Sequence, residues 1–345
     1  MFSPILQPIT QGILQSINKL DGGSLYGNDM VLVMATTTSS ETVTIPCHNV
    51  GTFDAVIDWG DGSTSTITAY NDADLAHVYA AIADHTIRIS GTFPNIYFAN
   101  GGDKLKLKEV IQLGKTGLTR LDAAFRGCTN LTSLGGGSVD TSAVTTMKWM
   151  CLSCSSLASV NSSGWDTSLV SSFESTFQTN SFVIPPDTSG WNTSSATTLA
   201  STFNRCGNMA TAPDVSGWNT SSTTTLALMF VNCSAMATAP DVSGWITSLV
   251  ANMTGVFNGC GVMPDAAIDG WDIEAVANFT EFMKNVTLPT ARYDATLIAW
   301  DAQNPIDSLS VNFGLSKYTL GSPAATARAN LVSNDGWSIS DSGTV

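Results

Sequence analysis

Charge is the scarcest resource in this chain, and positive charge scarcest of all. Only 12% of its 345 residues are charged, and 14 Lys and Arg face 28 Asp and Glu, a formal net charge of −14. Between Thr129 and Met283 the only cations are Lys148 and Arg205. Binding a phosphate backbone or an anionic bilayer takes clustered Lys and Arg, so no nucleic-acid partner and no anionic membrane surface is expected. No apolar run reaches the ~18 residues that a transmembrane span needs, which argues against membrane insertion. Histidine is nearly absent too: His48, His77 and His85 are the whole supply. No G-x-S-x-G, H-E-x-x-H or P-loop pattern occurs, and the carboxylates follow a repeat instead of departing from it as a catalytic pair would. The chain therefore reads as not an enzyme. The start, "MFSPILQPITQGILQSINKL", has neither the basic n-region nor the unbroken apolar core of a signal peptide.

What the chain has in abundance is periodicity. Gly-Trp pairs end at Trp165, Trp191, Trp218, Trp245 and Trp271, in steps of 26 or 27 residues. A second column holds Phe125, Cys151, Phe177, Phe203, Phe230, Phe257 and Met283. Three residues later come Cys128, Cys154, Asn180, Cys206, Cys233, Cys260 and Val286, and four residues earlier an apolar column from Leu121 to Phe279. Seven units in register mean a repeat architecture, each unit stacking its apolar positions on the next. Apolar positions at helical spacing, such as Val250, Met253 and Phe257, predict a short helix or 3₁₀ turn in each unit, with prolines and glycines at the corners. The seven cysteines are an odd number whose spacing is positional. Cys206, Cys233 and Cys260 are expected as a buried column of free thiols, and the Cys151-x-x-Cys154 pair fills repeat slots instead of half a zinc site.

The segments "VDTSAVTTMKWMCLSCSSL" and "PDVSGWNTSSTTTLALMFVNCSAM" resemble the BspA-like leucine-rich repeats of bacterial surface and phage proteins. "TARYDATLIAW" and "SKYTLGSPAATARANLVSNDGWSISDSG" are similar to the ending found after such repeats. Ahead of them, residues 53–93 alternate apolar and polar positions around a Gly-Asp-Gly turn, the pattern of antiparallel hairpins. Through Trp59-Gly60-Asp61-Gly62, His77-x-Tyr79 and Ile87-x-Ile89-x-Gly91 this segment resembles a PKD-type immunoglobulin-like domain. The resemblances imply a multidomain, mostly β chain: a PKD-like β-sandwich followed by a capped leucine-rich-repeat solenoid of about seven 26–27-residue coils. The expected divisions are 1–30 as an assembly segment, 31–93 as the sandwich, 94–117 as an N-terminal cap, 118–289 as the solenoid and 290–345 as a C-terminal cap.

Some polar and aromatic positions invite a functional reading. Asp54, Asp58 and Asp61 are the places to look for Ca²⁺, and Asp187, Asp214 and Asp241 recur four residues before a Trp. Oxygen ligands in clusters or rows can hold Ca²⁺. Turn capping by a carboxylate is the simpler account, and no metal or cofactor is assigned. The Trp column suits either a sugar-stacking platform or core packing, and core packing is the reading adopted.

The "MFSPILQPITQGI" start is similar to the N-termini of some phage virion proteins. That similarity implies a non-enzymatic virion structural protein, such as a tail fibre, tail-tip protein or capsid spike on the particle exterior, attaching to a host-surface glycan or protein. A bacterial cell-surface adhesin is the alternative, and a glycan-degrading virion enzyme comes third. Ile5, Ile9, Ile13, Leu14 and Ile17 form an apolar stripe too short to bury itself. It is expected to assemble with other virion proteins or with two more copies of itself as a trimer.

Overall fold

A computed structural model describes residues 25–261 and 266–345. The described chain is mostly β, with eleven strands and two α-helices. The first seven strands are β1 (Met30–Ala35), β2 (Glu41–Thr44), β3 (Asp54–Asp58), β4 (Thr64–Ile67), β5 (Ala76–Tyr79), β6 (Asp84–Thr92) and β7 (Leu107–Gln112). β1, "MVLVMA", is apolar at every position and buried at all six, the signature of a strand covered on both faces. It pairs antiparallel with β6 on one side and with β7 on the other. β3 alternates instead, burying Ala55 and Ile57 while Asp54 and Val56 face solvent. It is joined to β4 through a turn in which Gly60 has φ 80°, and a Cβ there would lie 2.5 Å from Thr86 O. Only glycine fits that approach. β2 and β5 pair as a separate two-stranded sheet, tied to β3's end by Tyr79 Oη donating to Trp59 O at 2.6 Å.

β7 then pairs in parallel with β8 (Ser133–Leu134), and β8 with β9 (Ser159–Val160). The result is one seven-stranded sheet in the order β4-β3-β6-β1-β7-β8-β9. The hairpin region and the first repeats thus share a sheet, and their buried side chains belong to one continuous core.

The repeats do not form the leucine-rich-repeat solenoid that the resemblance implies. Between residues 118 and 261 they contribute only two two-residue strands, then single parallel bridges such as Ser172↔Thr198, Thr198↔Thr225 and Thr225↔Asn252. They contain no helix, and the stretch from Val250 to Phe257, expected as a helix or 3₁₀ turn, is a bridge residue followed by turns. The reason lies in the backbone. Each repeat places two residues at positive φ, two before and two after the Phe-column position: Trp149 and Ser153, Ser201 and Arg205, Leu228 and Asn232, Gly255 and Gly259. A left-handed residue stops a helix and breaks a strand alike.

The turns are nonetheless densely bonded. In the Phe230 repeat, the amides of Met229, Val231 and Cys233 donate to Leu226, Leu228 and Phe230 within the repeat. The alternate amides, Leu226, Leu228, Phe230 and Asn232, donate to Asn252, Thr254, Val256 and Asn258 of the next. Backbone groups buried in such a tract must find partners, and this alternation supplies them without a regular ladder. From Leu226 to Asn232 the inter-repeat amides point toward the C-terminal neighbour, while Thr224, Ala235 and Ala237 donate back to Thr197, Gly207 and Ala210.

Both ends of the stack are covered. Phe98, Ala99 and Asn100 donate their amides to Ala124, Ala123 and Arg126 of the first repeat. At the other end stand α1 (Thr290–Asp301), β10 (Ser310–Asn312), α2 (Pro323–Ser333) and β11 (Ser338–Ser340). β10 bridges onto the last repeat through Phe279↔Val311 and pairs in parallel with β11. α2 opens on Ser322, whose hydroxyl accepts from Ala324 and Ala325 amides, with Pro at the first helical position. Asp341 locks this end, accepting from Tyr293 Oη and Arg328 Nε, each at 2.7 Å.

Candidate functional site

The repeat columns run through the interior. Phe177, Phe203, Phe230 and Phe257 are all fully buried, with successive ring centroids 5.7–5.8 Å apart and planes inclined by 26°, 3° and 1°. Trp165, Trp191, Trp218, Trp245 and Trp271 make a second stack with centroids 6.0–6.4 Å apart. None of the five indoles is more than 5% exposed, so this row offers no open face to a sugar. Trp218, Trp245 and Trp271 also donate their indole N–H to Thr188 O, Val215 O and Val242 O in the preceding repeat.

The cysteine column does a specific job. Cys154, Cys206, Cys233 and Cys260 Sγ lie 2.9–3.1 Å from the carbonyls of Phe125, Phe177, Phe203 and Phe230, so each thiol donates across one repeat boundary. In the third repeat Asn180 takes the slot and donates through Nδ2 to Cys151 O at 3.0 Å and Phe177 O at 2.7 Å. In these five repeats the slot holds a small buried donor, whereas the last repeat buries Val286 there. The exchange of Cys for Asn at this position is the sequence signal of that role. Burial holds the thiols protonated, and therefore able to donate: Cys206 and Cys260 are pushed up to about 12, and Cys233 well above its ordinary value. All seven cysteines are free, and only Cys47 is not buried.

The recurring acids also hold turns. Asp187, Asp214 and Asp241 each accept the amide and hydroxyl of the Ser two residues on, at 3.1 and 2.6–2.7 Å. Those bonds to serine hold Asp187 and Asp241 below the usual carboxylate range. Sequence reasoning missed a second such column directly after the Trp residues. There Asp166, Asn192, Asn219 and Asp272 accept from amides two residues on. The signal is present as "GWD" and "GWN".

In the hairpin region Asp54, Asp58 and Asp61 do not converge. Asp54 faces solvent on β3, and Asp58 Oδ1 accepts the Gly60 amide at 2.9 Å. Asp61 accepts the Ser63 hydroxyl at 2.5 Å and lies 2.7 Å from His77 Nε2. The bond from Ser63, then His77, lowers Asp61 to about 2. Ser63 Oγ is 3.4 Å from that same Nε2. Ser, His and Asp meet here, but not as a nucleophilic triad: both oxygens address one imidazole nitrogen, and the carboxylate itself engages the serine. The His77 ring stacks on Trp59 with centroids 5.0 Å apart, so the group pins the hairpin turn. Among the described residues no three of His, Cys, Asp and Glu come together as a metal site, and no helix is long and apolar enough to cross a membrane. Ile5, Ile9, Ile13, Leu14 and Ile17 lie outside the described residues.

Stacked, turn-built repeats whose ionisable groups serve the backbone define a repeat protein with an interior of aromatic and thiol columns. Within that class, the chain belongs to the family described as "Mycoplasma protein of unknown function, DUF285", whose model matches residues 119–240 and 178–300, together more than half of the chain. No curated protein and no solved structure matches it.

Proposed function

We propose that this chain is a non-enzymatic structural protein of a bacteriophage particle, carried on the exterior as a tail fibre, tail-tip protein or capsid spike and used to attach to the host surface. The observation that carries the attachment reading is where the reactive side chains go. Thiols, indoles and most repeat carboxylates are committed to holding one repeat on the next or to closing a turn. Along the outside runs a row of solvent-exposed hydroxyl residues, Thr145, Ser171, Thr197 and Thr224, each of which also donates its hydroxyl to a carbonyl of the preceding repeat. A surface that is regular, polar and chemically quiet suits adhesion better than turnover. The particle half of the reading rests on the resemblance of the first residues to virion N-termini, and assigns them to assembly with other virion proteins or as a trimer.

The test is the protein content of purified particles, compared for the full chain and for a variant beginning at Leu25. That start retains Asp29, whose carboxylate takes Arg88 Nη2 at 2.6 Å, and the Gln112 bonds to Gly27 O and Asp29 O. The full chain is expected in the particles and the variant only in the soluble fraction. Particles without the full chain would overturn the reading. A second reading, a cell-surface adhesin, draws on the family description, which names a cellular organism; recovery of the full chain in the envelope fraction of uninfected cells would support it instead.

A further inference from the structure

One surface aromatic does not obey the logic of the repeats. In the column two residues before the Phe position stand Ala123, Trp149, Ser175, Ser201, Leu228, Gly255 and Glu281, all at positive φ. Only glycine takes that conformation without a Cβ clash, so the other six residues share its cost. Trp149, at φ 60° like its neighbours in the column, is the one aromatic among them. Trp149 is only partly buried and sits outside both aromatic stacks.

Its neighbours supply the rest. Lys148 Nζ lies 4.3 Å from the Trp149 ring centroid and Arg126 Cζ 5.1 Å from it, two cations on one aromatic in a chain where cations are rare. Nearby carboxylates are already engaged: Asp122 takes Arg120 Nε and Nη2 at 2.6 and 2.9 Å, and Glu174 takes Lys148 at 2.9 Å. Among the described residues Arg126 has no carboxylate partner. The surrounding segment, 94–150, holds seven of the 14 Lys and Arg but four of the 28 Asp and Glu.

We infer that Arg126, Trp149 and Lys148 bind an acidic polysaccharide at the start of the repeat stack. The guanidinium fork matches a carboxylate or phosphate oxygen pair. The exposed part of the indole takes the C–H face of the sugar or polyol that carries it, and Lys148 adds charge once Glu174 yields it. This inference deepens the attachment reading, resting on it for its biological setting, and names the class of ligand.

Calorimetric titration of the purified full chain tests it, with oligogalacturonate as carboxylate probe, a glycerol-phosphate oligomer as phosphate probe and neutral dextran as control. At least one acidic probe is expected to bind, more weakly as salt rises, and which one binds distinguishes the two sources. Arg126→Gln and Trp149→Ser should each weaken binding about tenfold, the strength of one charge-assisted bond or stacking contact. Ser is the residue of the next two repeats, so Trp149→Ser should keep the thermal transition. Glu174→Gln should tighten binding by a few-fold, a gain that a merely structural role would not produce. Binding unchanged in both loss variants, equal binding of dextran, or binding of neither acidic probe would overturn the inference. These outcomes are separate from the particle test, since the chain can reside in particles and bind no acid, or bind acid and be absent from particles.

Discussion

The front sheet and the repeat stack satisfy the same backbone requirement by opposite means. In the front sheet, β1 and β6 pair residue for residue from Met30↔Ile89 to Ala35↔Asp84, and extended strands exchange bonds in both directions. In the stack, turns alternate intra-repeat and inter-repeat bonds, and single bridges replace ladders. The front sheet is cooperative along its strands. The stack depends on side-chain columns, because each repeat touches only its neighbours and its left-handed residues are tolerable only when those neighbours hold them. A core lesion should therefore spread through the sheet but stay local in the stack.

The sharpest way to break this contrast is Phe230→Ala. Removing a fully buried ring that stacks on Phe203 and Phe257 should cost about 3–5 kcal/mol. Hydrogen exchange should accelerate across the adjoining repeats while β3 and β6 keep their protection. Equal loss in both regions would show a single cooperative unit.

A smaller effect separates packing from donation in the thiol column. Cys233→Val removes one of the two donors to the Phe203 carbonyl, which keeps the Cys206 amide at 3.1 Å, and should cost about 1.5 kcal/mol. Cys233→Ser keeps a donor and should cost less, as read by chemical denaturation; Val and Ser behaving alike would make the column a matter of volume alone. A thiol reagent should reach only Cys47 in the native chain, and slowly, because burial pushes its thiol up to about 11, and all seven cysteines after unfolding.

Smaller again is Asp187→Ala, which removes the two bonds from Ser189 at an exposed turn and should lower stability by about 0.5–1.5 kcal/mol. A loss above about 3 kcal/mol, the scale of a buried unsatisfied group, would mean that the turn is coupled to the core.

The gentlest probe is acid, and it addresses the front. Asp61 is held at about 2, below its ordinary 3.8. A depressed carboxylate contributes stability that is present above its unfolded pKa and fades as pH falls through the folded one. The Trp59–His77 stack should therefore loosen between about pH 4 and pH 2, followed by Trp59 and His77 proton resonances. Asp61→Asn should remove that step; its persistence would assign the transition elsewhere.

Part of the molecule is legible in its residues. The period of 26–27 residues stands in the Gly-Trp spacing, and the hairpin around Trp59-Gly60-Asp61-Gly62 in its alternation. Turn acids are recognisable from Asp187, Asp214 and Asp241, and the column after the Trp residues is marked in the same way. The leucine-rich-repeat solenoid is not a sound deduction from the same pattern. Apolar spacing at Val250, Met253 and Phe257 is shared by a helix and by a chain of turns, and only the backbone angles distinguish them.

Sequence alone determines which side chains recur, because composition and spacing are local facts of the chain. Tertiary structure decides what the recurrence does. Leu228, Glu281 and Trp149 adopt a left-handed backbone that their side chains do not advertise, since the bonds to adjacent repeats outweigh the local preference. Arg126 meets Trp149 only because one repeat step brings residues 23 apart in sequence side by side. β1 takes β7 on its free edge and carries the sheet into the repeats, because a fully apolar strand buried on both faces has no stable place at an edge.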